Sequence, residues 1–446
     1  MSKSLKINQF VNKQFEDIKL QGTQGIIKKS LLLIKLLIRF LLNVLSLIPC
    51  LVIRLLSPWI IIRIERINSG NFGDFVWMTS MYYCKKHLKI DQPKKKFIDL
   101  LYLHPDSKIY NKQIEKMWKR KIKIYPSFFL DSIRRVNRFI PGWRSHIITN
   151  LLVQERDKNN IFEKYKPLDF LRDEEIHGKK ILNKFGLNEK DKFVCFAIRD
   201  GAYQEKKISS ADRNWSYHDF RHTDINNFML AAEELTKRGY FVFRMGVVAE
   251  KKFTSKNPKI IDYVNSNLRS DFMDVYLGAY CSFCLSTGYG FEDVPIIFRK
   301  PIAHMIQPLG NAYTHNEKYL ILTKHHINKK ERREMSLSEI FSSGAGFFFH
   351  TKDFEKAGIE LRDNTPEEIK DFVLEMLDNI ESKNRYTTED DELQNKFKNL
   401  YLANIKKANF HATIKDEFAN GKREFHKEIK SRFSGKFLRE NKMWLN

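Results

Sequence analysis

The first thirty residues are polar and basic, and from Leu31 to Leu56 the chain turns strongly apolar. Within that run Lys35, Arg39, Asn43, Ser46, Cys50 and Arg54 recur at spacings of four, four, three, four and four. On a helix this aligns them along one narrow stripe. The pattern predicts an apolar amphipathic helix lying in a membrane interface, with the stripe wet and the rest in lipid. A perpendicular crossing, the first alternative, would carry Lys35 and Arg39 into hydrocarbon at about 3 kcal/mol each; a buried core helix is the second. Pro49 predicts a kink or a split. The run starts too late, is too long and lacks a small-residue cleavage site, which argues against a signal peptide. Lys28 and Lys29 favour the cytoplasmic face.

Alternation from Ile62 to Ile67 predicts a strand, and Asn68-Ser69-Gly70-Asn71-Phe72-Gly73-Asp74 then leads into an apolar helix, Val76 to His87. Strand, glycine-bearing loop and helix are the opening of a Rossmann-like domain. The loop lacks both the three-glycine dinucleotide spacing and the Gly-Lys-Ser/Thr of a phosphate loop. Asp74 is expected at the helix N-terminus, as a cap or as a general base. Phe97 to Leu103 is a second strand. A basic stretch follows, with Lys116, Lys119, Arg120, Lys121, Lys123, Arg134, Arg135, Arg138 and Arg144 against Asp131, and with Phe128, Phe129, Phe139 and Trp143 interleaved. No helix-turn-helix, RNA-binding sheet signature or zinc module accompanies it, so anionic lipid or a phosphorylated acceptor is the expected partner rather than nucleic acid. On this reading Gly70, Gly73, Arg134 and Arg135 form an acceptor or phosphate site.

A second alternating series begins at Phe193. Phe193 to Ile198, Tyr240 to Gly246, Ile260 to Val264 and Cys281 to Leu285 predict strands, with helices from Phe228 and from Ser270 between them. Such alternation implies a parallel sheet with ligands at the strands' carboxyl ends, where Arg199, Arg244, Gly246 and Ser286-Thr287-Gly288 all fall. Ser286 and Thr287 are expected to cap a helix start, and Gly288 and Gly290 to let a phosphate approach the backbone. Val294 to Phe298 predicts a further strand. Asn364-Thr365-Pro366-Glu367-Glu368 opens a helix capped by Thr365.

Composition narrows the partners. The 446 residues carry 78 Lys and Arg against 54 Asp and Glu, a formal charge of +24, which calls for a polyanionic neighbour. Five cysteines form no disulfide framework, and Cys281 and Cys284 read as two core thiols rather than a zinc or redox pair.

Asp224-Ile225, Arg244-Met245-Gly246, Ile261-Asp262-Tyr263, Ser286-Thr287-Gly288 with Val294-Pro295, Asp363 to Ile369, Phe437-Leu438 and Trp444-Leu445 together resemble a family of glycosyltransferases from bacterial surface-polysaccharide and lipopolysaccharide gene clusters. The resemblance runs over most of the chain from about Ile60. It implies an α/β fold of two Rossmann-like domains of GT-B type that needs no metal or other cofactor. The implied activity is transfer from a nucleotide-sugar donor to a lipid-linked or polysaccharide acceptor at the cytoplasmic face of the inner membrane. The expected segments are a basic and membrane-associated segment (1–57), an acceptor domain (58–190), a donor domain (191–380) and a helical tail packing back (381–446). Arg199, Arg244, Gly246 and Ser286 to Gly290 would hold the donor diphosphate, Glu292 would contact ribose or sugar, and Asp74 would be the base. The loop at Asn68 to Asp74 departs from that family and resembles the opening loop of polysaccharide pyruvyltransferases, the enzymatic alternative. A non-catalytic basic protein binding membrane or nucleic acid is the other.

Overall fold

The computed structural model describes residues 3–103, 105, 109–152, 157, 159–200, 216–288, 290–383, 386–407 and 428–446. Contacts gather the chain into two units. One comprises residues 1–67, 93–106 and 123–148, and the other 68–92, 107–122 and 149–446.

In the first unit, helix α1 (Lys3–Leu45) is broken at Gly22, whose φ of 55° and ψ of −139° are not helical. Helix α2 (Leu47–Leu56) follows after Ser46. Three parallel strands, β1 (Ile61–Ile67), β2 (Phe97–Leu103) and β3 (Ile124–Tyr125), form a sheet in that order. A small core of Cys50, Ile53, Ile64, Tyr102, Ile133 and Val136 joins α2 and the sheet to helix α5 (Ser127–Asn137). The polar positions of β1 are buried as well. Arg63 pairs with Asp99, its cross-strand neighbour, at 2.6 Å, and Glu65 pairs with Arg134.

The last part of the stripe on the apolar helix, from Ser46 to Arg54, faces protein rather than water, while Lys35 stays exposed. Ser46 and Cys50 are fully buried, and Arg54 donates to the carbonyl of Pro141 at 2.8 Å and to Asn137 Oδ1 at 2.6 Å. The polar stripe of α2 is therefore a packing face, satisfied by protein groups rather than by water.

The second unit is built on seven parallel strands in the order β13-β9-β8-β7-β4-β5-β6. These are β4 (Lys192–Ala197), β5 (Tyr240–Arg244), β6 (Ile260–Ile261), β7 (Cys284–Ser286), β8 (Ile302–Met305), β9 (Tyr319–Leu322) and β13 (Arg432–Phe433). From β4 the chain builds outward through β5 and β6, then returns to the other side of β4 with β7. The sheet therefore has a topological switch point between β4 and β7, where parallel sheets open a crevice at their carboxyl ends. A small antiparallel sheet, β11-β10-β12, uses β10 (His325–Asn328), β11 (Arg333–Glu334) and β12 (Ile359–Arg362). Helices α3 (Phe72–His87) and α4 (Lys112–Lys121) also belong to this unit. All five cysteines are buried and free.

Two predicted elements differ. Val294 to Phe298 is not a strand; Asp293–Ile297 is a short helix, buried throughout, and a continuous apolar run suits either state. The strand at Ile260 ends after Ile261 and gives way to a single tight helical turn, Tyr263–Asn265.

Candidate functional site

The switch point is held together by side chains at the strand ends. Thr287, just past β7, accepts a hydrogen bond on Oγ1 from the Arg199 backbone at 2.9 Å, and its own N–H donates to Ala197 at 3.2 Å. Gly288 has a φ of +78°, and an added Cβ there would lie 3.3 Å from Ile306 Cδ1, so the turn needs glycine. Its N–H donates to Ser286 Oγ at 3.2 Å, and the Ser286 hydroxyl donates to Glu292 at 2.5 Å. Tyr289 lies outside the described residues. Ser286 and Thr287 thus tie the turn to itself and to β4 instead of capping a helix. Glu292 is also not the ribose contact expected from sequence. It is buried against Ser286, with His304 Nε2 3.4 Å away.

A polar cleft of about 220 Å³ lies beside this turn, lined by Asp200, His222, Thr223, Asp224, Arg244, Glu250, Lys251 and Asp363. It continues into a narrow pocket that Arg221, Thr287, Gln307, Lys324 and Asn364 enclose with Thr223 and Asp363. Lys324 is the more enclosed cation of this pocket, its side chain 13% exposed. Its ammonium lies 2.7 Å from Asp363 and donates to the His222 carbonyl at 2.6 Å. Burial lowers the Lys324 pKa, and Asp363 opposes the shift. Burial also lowers the His222 pKa, aided by Arg199, so the imidazole is neutral near pH 7. Among the described residues its Nε2 and the buried Oδ1 of Asn364 have no hydrogen-bond partner. The cleft therefore sets cations beside Asp200, Asp224, Glu250 and Asp363, with Lys251 paired to Asp224 at 2.7 Å, and adds threonine hydroxyls and unmatched polar atoms, a lining that suits a strongly hydrogen-bonding ligand.

Arg244 reaches this region but is spent on structure. It is 2% exposed, donating to Asp200 Oδ2 at 2.9 Å and to the Lys251 carbonyl at 3.1 Å, with Asp262 Oδ1 3.4 Å away. Its position at the end of β5 was legible, but the two carboxylates that occupy it were not. Arg199 stands at the end of β4, half-buried. Gly246, with φ of 150°, accepts from Arg269 on its carbonyl at 3.2 Å.

Asp74 sits on the third residue of α3; Asn71 occupies the cap position. One oxygen of its carboxylate accepts from Asn68 Nδ2 at 2.8 Å and from Asn71 Nδ2 at 3.2 Å. Burial raises its pKa, with the Asn68 hydrogen bond opposing, which moves it toward the range of a working base. Gly70 precedes it in the turn. A Cβ on Gly73 would come within 2.8 Å of Asp293 and 3.3 Å of the Gly290 Cα. Gly73 and Gly290 let the Asp74 loop lie directly against the turn that begins at Thr287.

Arg134 and Arg135 belong to the first unit. Arg134 is buried against Glu65, and Arg135 pairs with Asp131 at 2.8 Å, one turn away on α5. The basic stretch read as one surface for anionic lipid or a phosphorylated acceptor, but its helical period turns Arg134 inward.

Arg221, Thr223, Gln307 and Lys324 were missed as site residues. Gln307 and Lys324 follow β8 and β9, whose apolar runs Ile302 to Ile306 and Tyr319 to Leu322 were the available signal. Among the described residues no group of three or more His, Cys, Asp or Glu is disposed to hold a metal.

The chain matches no protein-family model and no curated protein. Among solved structures it is similar to the ADP-heptose LPS heptosyltransferase II of E. coli, at 14% identity over 72% of this chain and 99% of that one, with a TM-score of 0.35. It is also similar to a family 9 glycosyl transferase of Veillonella parvula, at 12% identity over 59% of this chain and 85% of that one, again with a TM-score of 0.35. A third similarity is to the dodecameric iron-containing heptosyltransferase TibC in complex with ADP-D-β-D-heptose, at 12% identity, 56% and 58% coverage and a TM-score of 0.25. Superposition at this level carries no weight for fold or activity, which rest on the strands and side chains described above.

Proposed function

We propose that this chain is a glycosyltransferase of the two-domain GT-B plan, needing no metal. It would transfer a sugar from a nucleotide-sugar donor to a lipid-linked or surface-polysaccharide acceptor, peripherally at the cytoplasmic face of the inner membrane. The observation that carries this reading is the cleft at the switch point between β4 and β7, with Arg221, Lys251 and Lys324 among its lining groups. Sugar-nucleotide cleavage leaves a nucleoside diphosphate, and stabilising that developing charge is the largest electrostatic task in the transfer. The cations of the cleft face that task. Thr223, Thr287, neutral His222 and Asn364 supply orienting hydrogen bonds, and Arg244 holds Asp200 and Asp262 in place. Asp74, on a loop packed against the same turn, takes the proton of the acceptor hydroxyl.

Calorimetric titration with a panel of nucleoside diphosphates tests the donor site. One of them should bind, and Arg221→Ala should weaken it by about 10- to 100-fold, as a lost charge-assisted hydrogen bond does. Asp74→Asn should leave that affinity intact and lower transfer by about 10²- to 10⁴-fold. Turnover of phosphoenolpyruvate without nucleoside-diphosphate binding would replace this reading with the pyruvyltransferase one.

A further inference from the structure

Gly22–Leu56 is a helical stretch of 35 residues, long and apolar enough by composition to cross a membrane. At 1.5 Å per residue it extends about 52 Å, against about 30 Å for a hydrocarbon core. Large apolar side chains are exposed along its whole length, among them Leu33, Phe40, Ile48 and Leu55. The C-terminal end of the polar stripe is the exception: Ser46 is buried, and Cys50 and Arg54 are fixed to α5 and the loop after it. A helix whose polar side is held by the protein body cannot be surrounded by lipid there. The loop that Arg54 grips, 138–144, carries Phe139, which is 88% exposed, and Trp143 with the Arg144 guanidinium 5.3 Å from its ring. Trp59, 71% exposed, follows the end of α2. Tryptophan, phenylalanine and arginine beside an apolar surface are the chemistry of the headgroup boundary, and a chain of charge +24 is drawn to anionic lipid.

We propose that α1, α2 and the loop 138–144 form one monotopic docking face, on which the helix lies in the plane of an anionic bilayer and Phe139, Trp143 and Arg144 enter the headgroup boundary beside it. This reading adds the loop to the membrane contact and excludes a crossing. It does not depend on the glycosyltransferase chemistry, and nucleoside-diphosphate affinity measured on the same preparation separates the two.

The five native cysteines are buried, so Phe139→Cys in the full-length protein can carry a single environment-sensitive dye. The protein should float with sealed vesicles of phosphatidylcholine and phosphatidylglycerol. Brominated lipid should then quench the dye at 139, and Phe139→Ser should weaken partitioning by about tenfold, the loss of one partly buried aromatic ring. Gln24→Cys and Lys94→Cys, both at exposed positions, should remain open to a membrane-impermeant thiol reagent added outside. Vesicle binding with an aqueous dye at 139, or protection of position 24 alone, would overturn the proposal. So would failure to float combined with a dimer in which the dye is buried, which would make this face an interface between copies.

Discussion

Replacing Arg134 by methionine separates a buried structural cation from a surface one. Its partner Glu65 is fully buried; among the described residues one carboxylate oxygen is met by Arg134 and the Arg66 N–H, and the second has no partner. Burial raises the Glu65 pKa, and Arg134 is the main opposing influence. Without the guanidinium the carboxylate escapes its unpaired charge by taking a proton. From an ordinary pKa of about 4.3 this costs about 3.7 kcal/mol at pH 7, at about 1.36 kcal/mol per unit, and caps the penalty. That agrees with the roughly 3–5 kcal/mol seen when one partner of a buried pair is removed. Between pH 4.3 and the raised folded value, the folded variant binds a proton that the unfolded chain does not, so its stability falls as pH rises. Urea unfolding followed by circular dichroism should show Arg134→Met destabilised by about 3–4 kcal/mol near pH 7 and by only about 1 kcal/mol near pH 5. Adding Glu65→Leu should abolish that pH dependence and recover most of the loss, since an apolar pair replaces a buried ion pair at little cost. A variant as stable as the parent, with selectively weakened binding to anionic vesicles, would refute this and return Arg134 to the surface role its sequence context suggests.

Arg244→Ala removes the partner of Asp200 and Asp262 and should cost about 3 kcal/mol in urea unfolding, by loss of charged hydrogen bonds; an unchanged midpoint with lost nucleotide affinity would make it a ligand residue. His325 lies between Glu334 and Glu368, and although burial lowers its pKa, these hydrogen bonds raise it to about 9. Its contribution is complete below its unfolded pKa of about 6.5 and is lost as pH rises through the folded one. Stability should therefore drop between those values, and His325→Gln should flatten that part of the profile.

The parallel strands β4, β5 and β7 were legible because their apolar runs end in the turn residues and arginines of a crevice. The capping box at Thr365 with Glu368, and the Ser270 cap accepting from Met273, were legible for a similar local reason. What failed was partner identity. Arg134, Arg244 and Glu292 are placed by carboxylates, a serine and a histidine 6 to 69 positions away, and no local spacing encodes such a pairing. The stripe from Lys35 to Arg54 was read with the right period, but from Ser46 onward with the wrong neighbour. Periodicity tells which residues share a face, but not whether protein or water meets it. The Lys324 site was missed for a third reason, that β8 and β9 are only four residues each.

The interlaced make-up of the two units bears on how the chain could ever be divided. Five crossings carry the backbone between them, so no single cut or genetic crossover yields either one whole. A fragment starting at Thr149 would keep the seven-stranded sheet and the cleft but lose α3 and α4. Tyr313 would then be stripped of the Trp77 ring stacked 5.4 Å away, and Glu174 of its bonds from Gln113 and Arg120. The Asp74 loop would go with them. The cleft and the Asp74 loop thus depend on packing across that cut: a recombinant that exchanges one for a relative's must match the contacts of the other, or replace α3 as a separate insert.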